Sequence, residues 1–190
     1  MRYSEYWPVA KRLWDTMQID TARSKNIALA AARLKKSASV YQDVQRITGV
    51  PYPLIAAIHY RESSADFMTY LGNGQVLSQR TTIVPKGRGP FATWQQGAID
   101  ALMLDGLADV QDWRLEKQLY YAELFNGAGY WNRRQTSPYV WAGTNHQVKG
   151  KYRTDGKFDK QMWDIQPGVA ALMLSLYRLD AEAIMPQRET

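Results

Sequence analysis

Val50-Pro51-Tyr52-Pro53-Leu54-Ile55-Ala56-Ala57-Ile58-His59-Tyr60-Arg61-Glu62-Ser63-Ser64-Ala65-Asp66-Phe67 reads as a short, almost wholly apolar helix that ends on one carboxylate. Proline fixes φ and is tolerated in a first helical turn, so Pro51 and Pro53 mark where the helix begins. Ser63, Ser64 and Asp66 supply polar side chains where it should stop. Helical spacing puts Glu62 on the face shared with Ile58 and Ile55, four and seven residues earlier. An acid there is part-desolvated and lies at the negative end of the helix dipole. Both effects disfavour the anion and predict a raised pKa. A carboxylic acid still protonated near neutral pH is what general-acid catalysis requires.

The 190 residues suffice for one domain with a real core. A hydrophobic content of 45% and a charged content of 22% are globular values and argue against disorder. Seven Trp and twelve Tyr suit a core, and they also suit a groove that stacks on sugar rings. With no cysteine there is no disulfide framework and no thiolate chemistry. The two histidines, His59 and His146, lie too far apart in sequence to suggest a metal site, and neither a metal nor a cofactor is expected.

The net charge of +6 favours an acidic polymer as partner: nucleic acid, an anionic membrane or a bacterial wall. No long Lys/Arg run or nucleic-acid motif supports the first; Arg33–Lys36 reads as a solvated helix face. No run approaches the roughly 18 apolar residues of a membrane span, so no stable membrane insertion is expected. Residues 1–6 lack the apolar core of a signal peptide. The expectation is a monomer made in the cytoplasm that reaches any outside target by release or carriage.

Tyr6, Val9, Ala10, Leu13, Trp14 and Met17 recur at helical spacing and predict a helix over about 4–18. A second runs from Thr21, read as its N-cap, through Leu34; a third, capped by Ser37 or Ser39, carries Val40, Val44 and Ile47 and stops at Gly49. Asn73-Gly74 between apolar flanks predicts a β-hairpin over 70–77. Lys86-Gly87-Arg88-Gly89-Pro90 is a basic loop without a phosphate-loop pattern, either on the substrate side or simply connecting. Trp94–Leu104 and a segment capped by Asp112 and closed by Asn126-Gly127 predict two more helices. Residues 130–161 lose periodicity and read as a long aromatic loop, and Pro167 opens a final helix over about 165–184.

Ile58-His59-Tyr60-Arg61-Glu62-Ser63 with Phe67 resembles the catalytic Glu-Ser motif of lytic transglycosylases and goose-type lysozymes. Ala122-Glu123-Leu124-Phe125-Asn126-Gly127-Ala128-Gly129 is similar to that group's Ala-x-Tyr-Asn-Ala-Gly-x-Gly run. Pro138-Tyr139-Val140 resembles its later Tyr-Val element. The resemblance covers roughly residues 50–140. It implies a mainly α, α+β lysozyme-like domain: a helical body with a small β-hairpin beside an active-site cleft. It further implies a muramidase acting on peptidoglycan glycan strands, of the kind found in phage endolysins, with the lack of a separate wall-binding module suiting a Gram-negative host. Glu62 would be the general acid, and His59, Ser63, Phe125, Asn126 and Tyr139 would contact substrate.

Glycosidases usually pair two carboxyl groups about 5–9.5 Å apart. Here no Asp or Glu occurs between Phe67 and Ile99. Either one glutamate performs both proton transfers, as in lytic transglycosylases, or a second group comes from elsewhere. Asp66, Glu123, Asp155 and Asp159 are the candidate carboxylates, and Thr81 and Thr82 are candidates for positioning a water. Hydrolysis and transglycosylation both stay open. The rival from another class is a non-catalytic peptidoglycan-binding protein that keeps the fold.

Overall fold

The computed structural model describes residues 1–154, 156–180 and 188–189. It is mainly helical, 53% helix, with one small antiparallel sheet of two strands among the described residues. The helices are α1 (Tyr3–Asp15), α2 (Ser24–Lys36), α3 (Ala38–Thr48), α4 (Tyr52–Ser63), α5 (Trp94–Leu104), α6 (Leu115–Phe125), α7 (Gly129–Asn132), α8 (Pro138–Trp141) and α9 (Val169–Leu179). The strands are β1 (Lys151–Thr154) and β2 (Lys157–Asp159). The chain forms two compact units, residues 33–113 and residues 1–32 with 114–190.

In the 33–113 unit α3 packs against α4 and α5. Every residue of α4 from Tyr52 to His59 is buried, so this helix is apolar all round and lies inside its unit. Gly49 ends α3 with φ +73°, a left-handed conformation that glycine enters without the Cβ penalty. Thr93 caps α5 by accepting the Gln96 N–H at 3.3 Å.

In the other unit α1 packs on α6, and α6 contacts α8 and α9. The Tyr6 hydroxyl donates to the Leu119 carbonyl at 3.2 Å. Buried Gln147 ties three segments together. Its Oε1 accepts from Gly143 N–H at 2.7 Å and from Arg23 at 2.6 Å, and its Nε2 donates to the Asp164 carbonyl at 2.7 Å. Fully buried Glu116 accepts from Arg188 at 2.7 Å and from the Glu189 N–H at 3.0 Å, which fixes these two residues near the C-terminus.

Several expectations need correction. Asp20, not Thr21, accepts the capping bond, from Ala22 N–H at 2.9 Å, and a 3-10 turn over Thr21–Arg23 precedes α2. Ile47 lies outside the core, 61% exposed. The helix expected from Asp112 begins at Leu115, with Arg114 at the cap position. The Asn73-Gly74 hairpin reduces to a single bridge between Thr69 and Val76. Tyr70 N–H still donates to Gln75 O at 2.7 Å, so the chain turns back, but no strand pair propagates. The described sheet lies instead within 130–161, which holds α7, α8 and the β1–β2 pair with a bulge between Tyr152 and Thr154.

Candidate functional site

Glu62 occupies the last turn of α4 and is half-buried. Two backbone bonds close the helix end: Ser64 N–H donates to Tyr60 O at 2.9 Å and Ala65 N–H to His59 O at 3.2 Å. Ser64 (φ +56°) and Ala65 (φ +58°) are both left-handed, an unusual pair for residues with a Cβ. Exposed Ser64 gains nothing visible from this conformation. Ser64→Gly is therefore expected to raise stability by about 0.5–1 kcal/mol, read as a higher urea midpoint with an unchanged m-value.

The backbone after this turn folds over the helix end. A Cβ at Gly74 would lie 3.7 Å from the Glu62 carbonyl oxygen, so the Gly72–Gly74 loop lies against the residue that carries the acid. Further along, Tyr70 stacks on Phe91 with centroids 5.3 Å apart and donates from its hydroxyl to Asp100 at 2.8 Å. Arg88 pairs with the same carboxylate, its Nε at 3.0 Å. The basic loop thus spends its arginine on the Asp100 carboxylate of its own unit rather than on an external anion. Loop and acid share one unit.

His59, expected to contact a ligand, has no exposed surface to offer one. It is fully buried and its ring sits among Tyr41, Phe67 and Trp94, with centroids 4.4–5.9 Å away. Nε2 donates to the Asp66 carbonyl at 3.0 Å, which leaves Nδ1 to accept from the Tyr41 hydroxyl at 3.0 Å. Each nitrogen then has the partner that a neutral imidazole requires. Burial pushes its pKa down to about 4, against a smaller opposing pull from the Asp66 carbonyl and carboxylate. His59 is a brace between α4 and the turn beyond Glu62.

That brace has a pH signature. The unfolded imidazole takes a proton near 6.5 and the folded one only near about 4. The contribution is complete above pH 6.5 and is lost as pH falls towards 4, roughly 3 kcal/mol in all. Urea melts at pH 7 and pH 4.5 are expected to show a larger loss for the native chain than for His59→Gln.

Ser63 is half-buried; its hydroxyl donates to His59 O at 3.4 Å and accepts from Asp66 N–H at 3.3 Å, so it serves the turn. Asp66 is exposed and accepts from Met68 N–H at 2.9 Å. Thr81 is not available to a water: it is buried, donates to Pro85 O and accepts from Arg88 N–H at 3.0 Å. Thr82 is exposed and accepts from Gln75 Nε2 at 2.9 Å. Each threonine is committed to its own loop.

In the other unit Asn126 is exposed at the C-cap of α6 and Phe125 is half-buried. Gly127, at φ +86°, takes the left-handed position. Tyr139 and Trp141 are buried in α8, so Tyr139 offers no open stacking face. Asp159 accepts from Gln161 N–H at 2.9 Å and pairs with Arg153 at 2.6 Å. The Gln161 bond, helped by Arg153, lowers its pKa against a partial desolvation, so it is no proton donor at neutral pH. Asp155 lies outside the described residues.

Glu123 is the acid whose depth the sequence understates. It is buried in α6, and burial pushes its pKa up to about 8, with nearby Ser137 pulling slightly the other way. Ser137 is not legible as a partner from sequence, since its place before Pro138 reads as a helix start. Among the described residues no group of three or more His, Cys, Asp or Glu side chains is placed to hold a metal ion, and no helix is long and apolar enough to cross a membrane. Compared with known proteins, the chain matches no family model, no curated protein and no solved structure.

Proposed function

We propose that the chain is a lysozyme-like muramidase that cuts the β-1,4 bond between N-acetylmuramic acid and N-acetylglucosamine, with Glu62 as general acid. The observation that carries this reading is the placement of Glu62. A half-buried carboxyl ends a helix whose eight residues Tyr52–His59 are all buried, and the turn beyond it is braced by His59. Such a carboxyl is partly shielded from water and sits on a rigid helix end, as suits a proton donor. The setting is a phage-type wall-lysis enzyme that acts on peptidoglycan after release from the cytoplasm or from a virion.

Glu62 gives its proton to the glycosidic oxygen as the C1–O bond breaks, and the leaving sugar departs as an alcohol. The positive charge left at C1 is then quenched by an oxygen nucleophile. If water attacks, the Glu62 carboxylate takes its proton and the product is a reducing end. If the C6 hydroxyl of the same sugar attacks, Glu62 takes that proton and a 1,6-anhydro ring closes. The lack of any Asp or Glu between Phe67 and Ile99, and the exposed, turn-capping position of Asp66, favour one acid for both transfers. The first experiment is turbidity of suspended purified walls, which the native chain is expected to clear. Walls that pellet with the chain but keep their turbidity would make it a binding protein instead.

A further inference from the structure

Three aliphatic side chains of the 33–113 unit stand in water beside one another: Val76 at 50%, Ile83 at 53% and Val84 at 80% exposure. Side-chain hydrogen bonds hold their two segments together. Gln75 Oε1 accepts from the Thr82 N–H at 2.8 Å and the Ile83 N–H at 3.1 Å, and Asn73 Nδ2 donates to Ile83 O at 3.4 Å. The loop that carries Ile83 and Val84 is closed at its base, where Thr81 N–H donates to Arg88 O at 3.0 Å and Gly87 N–H to Thr81 O at 2.8 Å. Single exposed apolar residues are ordinary on a protein surface, but a cluster fixed in place marks a contact surface. A tip already fixed also loses little freedom when it binds.

The charge around this tip narrows the partner. Arg80 and Lys86 flank Ile83 and Val84, both are exposed, and neither has a carboxylate partner among the described residues. Arg80 donates to Gly87 O at 3.2 Å, which keeps it on the same loop. No Asp or Glu occurs between Phe67 and Ile99. The acids that bound this stretch are engaged, Asp100 by Arg88 and Asp66 by the Met68 N–H at 2.9 Å. Nucleic-acid bases, like sugar rings, are held by stacking on open aromatic faces, and residues 71–90 include no aromatic residue. Aliphatic side chains between two cations match an anionic bilayer surface instead: the hydrocarbon enters the acyl boundary and the cations meet the headgroup phosphates. We propose that Val76, Ile83 and Val84, with Arg80 and Lys86, dock the chain on membranes rich in anionic phospholipid. The docking is peripheral, and no segment crosses the bilayer. It does not depend on Glu62 and stands whether or not Glu62 is catalytic.

The test is co-sedimentation of the full chain with vesicles of phosphatidylglycerol and phosphatidylcholine in equal parts, with vesicles of phosphatidylcholine alone, with purified walls and with DNA. The chain is expected to pellet with the mixed vesicles and to stay in solution with phosphatidylcholine alone. Ile83→Ser combined with Val84→Ser should weaken binding to the mixed vesicles by at least about tenfold, and Lys86→Gln alone by about fivefold. All three positions are exposed, so circular dichroism should be unchanged. The chain has no cysteine, so Val84→Cys can carry a single polarity-sensitive dye, whose emission should shift to the blue on the mixed vesicles. No pelleting with the mixed vesicles, equal pelleting with phosphatidylcholine alone, or an unshifted dye would overturn the proposal. Undiminished binding by the chain carrying Ile83→Ser and Val84→Ser would also overturn it and assign the attraction to net charge. Binding to walls or to DNA that those two substitutions weaken, with none to vesicles, would give the surface to that polymer and overturn the proposal as well.

Discussion

Glu62→Gln is expected to abolish wall clearing while leaving the fold intact. Glutamine keeps the shape and polarity of a protonated glutamate but has no proton to give to a leaving oxygen. Loss of general-acid assistance alone is worth about 10²–10⁴ in rate, and if the same group also returns as base the loss is greater. The helix end should survive, because its closure rests on Ser64 and Ala65 N–H groups and on the His59 bond to Asp66, none of which uses the Glu62 carboxylate. Circular dichroism and wall pelleting should therefore match the native chain while turbidity stays constant. A Glu62→Gln chain that clears walls at the native rate would remove Glu62 from the mechanism.

The second large effect is structural. Gly168 precedes α9 with φ −77° and ψ 162°, an ordinary extended conformation, so its backbone does not call for glycine. Its surroundings do. An added Cβ would lie 2.5 Å from Val140 O and 2.6 Å from Ala142 N, both backbone atoms that cannot rotate away. The Gly168 N–H also donates to Ala142 O at 2.8 Å, which pins the two segments together. Gly168→Ala must then push apart the seam where α8 and α9 meet, and overpacking against backbone belongs at or above the upper end of the usual range, about 3 kcal/mol. Urea unfolding should show a midpoint lowered to match, and a change within about 0.5 kcal/mol would contradict this close approach.

The helices are legible in the sequence because their apolar residues keep a 3.6-residue period, as α1 does with Tyr6, Ala10 and Trp14, all buried. Helix α4 is legible by its unbroken apolar run from Tyr52 to Ile58, and the burial of that run is a consequence of it. The small sheet is not, for a physical reason: its strands are four and three residues long, and neither Lys151-Tyr152-Arg153 nor Lys157-Phe158-Asp159 contains a buried residue that would mark an apolar face. The Asn73-Gly74 signal is real as a turn, but local bonding from the Asp66 turn and the Gln75 side chain leaves no length of strand to pair.

The candidate site divides in the same way. The half-buried, helix-end position of Glu62 can be read from one helix, because that setting is local. His59, Thr81 and Tyr139 read from sequence as facing substrate or water, and each is buried instead. Their burial depends on partners that no local pattern reveals, such as Tyr41 and Trp94 around His59. The same holds for Glu123, whose raised pKa comes from tertiary burial rather than from any neighbour in sequence.

The most direct measurement is mass spectrometry of the fragments released when the native chain digests purified peptidoglycan. The expected products are muropeptides newly ended at N-acetylmuramic acid. Reducing ends would assign attack by water, and 1,6-anhydro ends would assign attack by the C6 hydroxyl. Peptidoglycan recovered with no new ends of either kind would contradict a muramidase.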